Sequence, residues 1–194
     1  MSNLFMMMAV RTRFALTSRN KASTQIRKSL GAYLALSRQI SLEQGAVSIE
    51  VPRMLGIDEE MCNWSFFMIL EHNAIVNRGI TSIVEHLARG EEPEDAGGID
   101  MKRDVLPSRN PGEEQLQLFR TSVEDHLQII PSLGRLRGGL RTRHPIFGRF
   151  DAHNWHCMFG LHLYIHYKQA EYVIRKISAQ HGNRDDSAQT RSAG

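Results

Sequence analysis

The sequence predicts an all-α protein, a four-helix bundle with a long connection between its second and third helices. Four stretches carry apolar residues at steps of three and four, which is the spacing of one helix face. The segments between them show neither sustained alternation nor clusters of β-branched residues, so no strand is expected. At 194 residues and 41% hydrophobic content, the chain has the size of one domain with loose ends. We predict a basic arm at residues 1–22, the bundle at 23–180 and a disordered tail at 181–194.

The first two helices are predicted from periodicity and from residues that favour helix ends. The first spans about Ser23 to Gln44, and Gly45 and Pro52 follow it. The second begins after Asp58, a residue type that caps helices well, and ends near Gly90. Its inward stripe consists of Trp64, Met68, His72, Ile75, Gly79 and Ile83.

The second half of the chain begins with a segment rich in glycine, proline and acidic residues, at positions 90–112. Such a long loop is uncommon in a compact domain, and it predicts a lid or a connection that spans the bundle. The third helix starts after Pro111, and Pro131 bends or breaks it. Asp151 is the predicted cap of the fourth helix, which extends to about Ala179.

Composition limits the classes of partner. The net charge of +3 and the pI near 9.1 are too weak to indicate nucleic-acid binding. No apolar run approaches the roughly 20 residues of a membrane-spanning helix. Cys62 and Cys157 lack CxxC spacing, which favours a reducing compartment. We therefore expect a cytoplasmic protein with neither a nucleic-acid nor a membrane partner.

The N-terminal segment has a charge bias. Residues 1–42 contain no Asp or Glu, whereas seven Lys and Arg residues occur there. An organellar transit peptide has this composition, and so does a basic arm that leads into a helix. The arm is favoured because a helical pattern begins before the bias ends.

The fourth helix carries the most informative pattern. One seam, spaced by fours and threes, consists of Trp155, Phe159, His162, His166, Gln169 and Val173. Buried imidazole or amide groups without partners cost about 1–3 kcal/mol each, so something must satisfy them. His162 and His166 lie one helical turn apart and can face one ion, and His72 lies on the inward stripe of the second helix. These three histidines are the predicted metal ligands, with room for water or substrate beside them.

Other side chains are weaker candidates for ligands than these three histidines. The HxxxH spacing alone is a weak motif, and a histidine on an apolar stripe is usually a hydrogen-bonded core residue. That explanation is preferred for His126, with a role as fourth ligand as the alternative. Glu71 is a candidate general base or a residue that orients a ligand, although a glutamate on a helix is more often solvated. Gln169 is expected to form hydrogen bonds inside the bundle. The remaining histidines are predicted to lie at the surface or in the tail: His86, His153, His156 and His181.

A wider set of residues resembles the DinB-like superfamily of metal-binding four-helix bundles. In the fourth helix and the loop before it, the family's pattern matches His144-Pro145, Phe147-Gly148, Asp151, Trp155, His162, His166 and Gln169. The segment from Trp64 to Gly79, with Glu71-His72 at its middle, resembles the stretch that supplies the family's first histidine. Asp151 stands where the family often has Thr or Ser, and all three cap helices.

The resemblance implies a three-histidine site for zinc, nickel or another divalent ion, and frequent homodimers. Characterised relatives use the metal to bind a low-molecular-weight thiol and transfer it. The leading hypothesis is therefore a metal-dependent thiol transferase or hydrolase with a small-molecule substrate. The alternative is a non-catalytic bundle that is stabilised by metal or binds a small molecule.

Overall fold

The computed structural model describes the backbone of residues 2–93 and 105–191, and the side chains of residues 4–93 and 105–180. Six α-helices form most of these residues. Their bounds are α1 Ser2–Leu16, α2 Arg19–Ser37, α3 Leu42–Gly45, α4 Phe66–Arg89, α5 Glu114–Ile129 and α6 Ala152–Arg191. No helix among the described residues is long and apolar enough to cross a membrane.

The bundle consists of α2, α4, α5 and α6. Helix α4 packs between α5 and α6, and α2 contacts the same two helices from the other side. Fully buried aromatic residues fill the interior, among them Tyr33, Phe66, Phe119 and Phe159. The predicted four-helix architecture is therefore confirmed for the described part of the chain.

The first predicted helix is divided in two. Helix α2 begins at Arg19, because the Ser18 hydroxyl accepts a hydrogen bond from the Lys21 amide and caps it. It ends at Ser37, and the short α3 starts after Ser41, which forms a capping box with Gln44. The predicted basic arm, which precedes α2, is also helical: α1 packs on α6 and buries Phe14.

The second helix starts later than predicted. Asp58 precedes only a short 3-10 helix, Glu59–Met61, and its side chain forms no capping hydrogen bond. The cap of α4 is Ser65, whose hydroxyl accepts from the Met68 amide. Its end agrees with the prediction, because Gly90 adopts a left-handed conformation with φ of 81°.

The end of α5 and the start of α6 agree with the prediction, whereas the end of α6 does not. Pro131 ends α5, whose last turn tightens into the 3-10 helix Ile130–Ser132. The Asp151 carboxylate accepts from the Asn154 amide and caps α6, as predicted. Helix α6 then continues to Arg191 instead of ending near Ala179.

Two pairs of short antiparallel strands correct the expectation that the chain has none. Strand β1, Ile49–Glu50, pairs with β2, Asn63–Trp64. Strand β3, Thr142–His144, pairs with β4, Gly148–Phe150. Segments of two or three residues are too short to show a period in the sequence. The predicted long connection includes residues 94–104, which lie outside the described residues, so its course stays a prediction.

Candidate metal centre

The three predicted ligands come together between two neighbouring helices. His72 projects from the second turn of α4, and His162 and His166 project from α6 one turn apart. The Nε2 atom of His72 lies 3.2 Å from the Nε2 atom of His162 and 3.2 Å from that of His166. In a tetrahedral site with zinc–nitrogen bonds of about 2.0–2.1 Å, two ligand nitrogens are about 3.3 Å apart. The spacing therefore suits a small divalent ion.

The opposite ring nitrogens of two ligands are held by oxygen acceptors. His72 Nδ1 lies 2.7 Å from the Val105 carbonyl oxygen, to which it must donate because a carbonyl oxygen only accepts. His166 Nδ1 lies 2.9 Å from Gln169 Oε1. The Gln169 amide nitrogen donates to the Met61 carbonyl, which fixes the direction of that amide. Both imidazoles thus carry their proton on Nδ1.

This arrangement of protons places two unprotonated ring nitrogens opposite each other at the centre of the cluster. With Nδ1 protonated, the Nε2 atoms of His72 and His166 are both lone-pair acceptors, and they face each other at 3.2 Å. No hydrogen bond can join two acceptors. A cation between them would satisfy both lone pairs. Metal-binding histidines commonly donate their other ring N–H to a carbonyl or a side-chain oxygen in this way, so the residues fit a divalent ion.

Burial keeps these rings neutral. His72 and His166 are each only 2% exposed, and His162 has intermediate exposure although its Nδ1 atom is buried. Desolvation lowers the pKa of His166 to about 3, and burial also lowers the pKa of His72 and of His162. Neutral imidazole is the form that binds a metal. The Trp64 ring packs against His72 with their centroids 5.0 Å apart.

The Glu71 carboxylate binds Ser108, whereas a general base would face a water or a substrate at the metal. Its Oε2 atom accepts from the Ser108 amide at 2.9 Å and from the Ser108 hydroxyl at 2.8 Å. Together with the bond from His72 to Val105, this contact fastens the segment before α5 to α4 at the site. The catalytic role of Glu71 stays a prediction, and its contacts are those of a positioning residue.

The predicted surface positions of two other histidines are wrong. His153 and His156 are buried, at 1% and 0% exposure, and His126 is fully buried too. His126 Nδ1 contacts the Thr81 hydroxyl at 2.9 Å, and its Nε2 contacts His156 Nδ1 at 2.9 Å. His126 is not in the group that could hold a metal, which agrees with the preferred explanation of a hydrogen-bonded core residue. His126 and His156 lie on different helices, α5 and α6, and 30 residues apart in the chain, so helix spacing alone could not place them together.

The loop matched by the family resemblance is the β3–β4 hairpin. The His144 ring is buried, and its Nδ1 accepts from the Ile146 and Phe147 amides. Gly148 follows with φ of 81°, a conformation that favours glycine. The Trp155 ring nitrogen donates to the Thr142 hydroxyl and fastens the hairpin to α6. Through these contacts the hairpin supports the start of α6.

Comparisons with known proteins identify the fold. No family model matches the chain, and no curated protein matches it. The crystal structure of TT2238, described as a four-helix bundle protein, is similar with a TM-score of 0.51 and 17% identity, over 80% of this chain and 99% of that one. At this identity the likeness shows a shared four-helix bundle fold.

The sequence did not indicate the two backbone carbonyls that orient the site. Val105 and Met61 contribute main-chain oxygens, to which the identity of their side chains is irrelevant. Gln169 was the exception, because a buried amide on the histidine seam predicted a hydrogen-bonding role that the structure confirms.

Proposed function

We propose that this chain is a DinB-like protein that binds one divalent metal ion through His72, His162 and His166. The observation that carries the proposal is the pair of Nε2 lone pairs that face each other at 3.2 Å while their Nδ1 atoms donate to oxygen acceptors. Zinc and nickel both suit three imidazoles. Gln169 is proposed as a positioning residue, because it fixes the orientation of His166.

A metal-dependent thiol transferase or hydrolase is the reaction class that we propose for this site. An ion held by three protein ligands keeps coordination positions for a thiol or a water and lowers the pKa of that group, which supplies a nucleophile near neutral pH. Substrate would enter beside His162, which is the least buried of the three ligands. Glu71 and Ser108 would position the segment that borders the site. A homodimer and a low-molecular-weight thiol substrate belong to the same proposal.

Elemental analysis of the purified full-length protein tests the metal site. We expect about one equivalent of a divalent metal in the wild type and a loss of it in His72→Ala, His162→Ala and His166→Ala. His126→Ala is the matched control, because it removes a buried histidine of the same bundle that lies outside the cluster. Retention of metal by His162→Ala, or a wild type that binds none when metal is supplied, would contradict the proposal.

A second measurement separates catalysis from a purely structural metal. Activity toward several thiol acceptors and the melting temperature are recorded before and after chelation. A catalytic site predicts that chelation abolishes turnover and changes the melting temperature little. A large fall in melting temperature in a protein that never turns over any acceptor would favour the non-catalytic bundle.

A further inference from the structure

A cavity of about 600 Å³ lies between α1, α2 and α6. This is within the usual range for pockets that bind small molecules. Its α6 wall is formed by Cys157, Gly160, Leu161 and Tyr164. On a helix with 100° per residue these positions face away from His162 and His166. The cavity is therefore distinct from the candidate metal centre.

The charged side chains that line the cavity are all cationic. They are Arg13 from α1 and Lys21 from the first turn of α2, and no Asp or Glu is in the lining. Neither side chain forms an ion pair with any described residue. The N-terminal end of α2, a helix of 19 residues, adds partial positive charge at the same wall. An anion is thus favoured there, and a cation is not.

The surroundings of the cavity strengthen this preference. Residues 1–42 and 126–150 contain twelve of the 24 Lys and Arg residues and none of the 21 Asp and Glu residues. The fold brings these distant segments together. Arg19 and Arg137 link them by donating to the Leu133 and Thr17 carbonyls. Because carbonyls are neutral acceptors, these hydrogen bonds do not themselves neutralise the two guanidinium charges.

The rest of the lining is mixed, with polar side chains such as Thr12 and Gln25 beside an apolar part. Phe14 and Ala22 are buried there, and Leu161 covers part of the wall. Burial raises the pKa of Cys157 to about 12, so its thiol is neutral at physiological pH. Gly160 adds no side chain, which keeps the space open where α6 comes close to Ile26.

We propose that this cavity binds a small amphiphilic carboxylate, with its anionic head between Arg13 and Lys21 and its alkyl chain against the α6 wall. The cationic rim selects the head group, and the apolar wall excludes water from the chain. This binding site is independent of the metal function proposed above. It assigns a role to the acid-free N-terminal segment, whose helix α1 forms one wall.

Calorimetric titration of the full-length protein with octanoate tests the proposal. Acetate lacks the chain and 1-octanol lacks the charge, so each should bind at least about tenfold more weakly than octanoate. The variant Arg13→Gln/Lys21→Gln should weaken octanoate binding about tenfold or more. The matched control is Arg27→Gln/Lys28→Gln, which removes the same charge from exposed positions of α2 outside the lining and should leave the affinity unchanged.

Other outcomes would overturn the proposal. Equal weakening by both double variants, with displacement of octanoate by duplex DNA, would show a diffuse polyanion-binding surface instead of a cavity site. Equal binding of octanoate and acetate would show that the apolar wall plays no part. His162→Ala serves as a further control, because a carboxylate can also bind a metal ion. Loss of octanoate binding in that variant would move the ligand to the metal centre, whereas retained binding keeps the two proposals separate.

Discussion

Buried histidines form two groups that each include a residue of α6, and the groups differ in the hydrogen-bond partners of their ring nitrogens. In the first group, His72 and His166 donate from Nδ1 to oxygen acceptors, so their Nε2 lone pairs face each other. In the second group, His126 and His156 share a hydrogen bond of 2.9 Å. The Thr81 and Ser23 hydroxyls contact the two ends of this pair.

The second group can satisfy itself without an ion. If the Thr81 hydroxyl donates to the Asn77 carbonyl, His126 Nδ1 donates to Thr81, and its Nε2 accepts from His156 Nδ1. The reverse arrangement also works, because the Arg19 carbonyl can accept from His156 Nε2. Burial is the same in both groups. The partner of the second ring nitrogen is what distinguishes a candidate ligand from a structural histidine.

The largest expected effect is a loss of stability at low pH. It arises from buried histidines outside the metal cluster. Burial lowers the pKa of His144 and of His156 to about 4, below the unfolded value of about 6.5. The unfolded chain therefore takes up these protons first. Stability is fully present above pH 6.5 and falls as the pH decreases toward 4. At pH 5 each group costs about 2 kcal/mol, which urea unfolding between pH 7 and 5 would measure. The variant His144→Gln/His156→Gln should show a flatter pH profile, and an equally steep one would contradict this account.

Removal of one member of the second group should separate stability from metal binding. His156→Ala leaves a cavity and unpaired groups on His126 and Ser23, so the free energy of unfolding should fall by about 3 kcal/mol. Metal affinity should stay the same. His166→Ala is the counterpart, which should lose metal. Unfolding curves and metal titrations of both variants would show the contrast, and a loss of metal from His156→Ala would remove it.

Gln169 tests the orientation of a ligand without removal of one. Gln169→Leu deprives His166 Nδ1 of its acceptor, so metal affinity should fall about 10- to 100-fold. Gln169→Glu keeps an acceptor oxygen and should retain most of the affinity. Competition with a chromogenic chelator would measure both variants. Equal affinities for the wild type and Gln169→Leu would mean that this contact does not act on the ligand.

Thr81 provides the smallest effect and the matching change in the second group. Thr81→Val removes the hydroxyl that contacts His126 Nδ1 and should cost about 1 kcal/mol of stability. Metal affinity should not change, since His126 lies outside the cluster. The same chelator competition, together with a thermal melt, checks both values. A metal affinity reduced as far as in Gln169→Leu would show that the two groups are coupled.

Local patterns in the sequence predicted the structure better than features that depend on residues far apart in the chain. The α4 and α6 stripes were predictable because helical periodicity is local, and the polar residues His162, His166 and Gln169 stood out on an apolar seam. The cap of α4 was misplaced because both Asp58 and Ser65 suit a helix start, and only Ser65 forms the capping hydrogen bond. His156 was misplaced because its partner His126 is 30 residues away on another helix.

The sequence by itself determined the four-helix bundle and the three histidines that form the candidate site, because helix faces depend on spacing along one chain. Only the tertiary structure decided how the rings are protonated, since the acceptors of His72 and His166 are a backbone carbonyl and a side-chain amide that the Met61 carbonyl fixes. The tertiary structure alone also placed the acid-free segments around one cavity. Contacts between residues far apart in the chain leave no periodic signal, and the bundle is what brings them together.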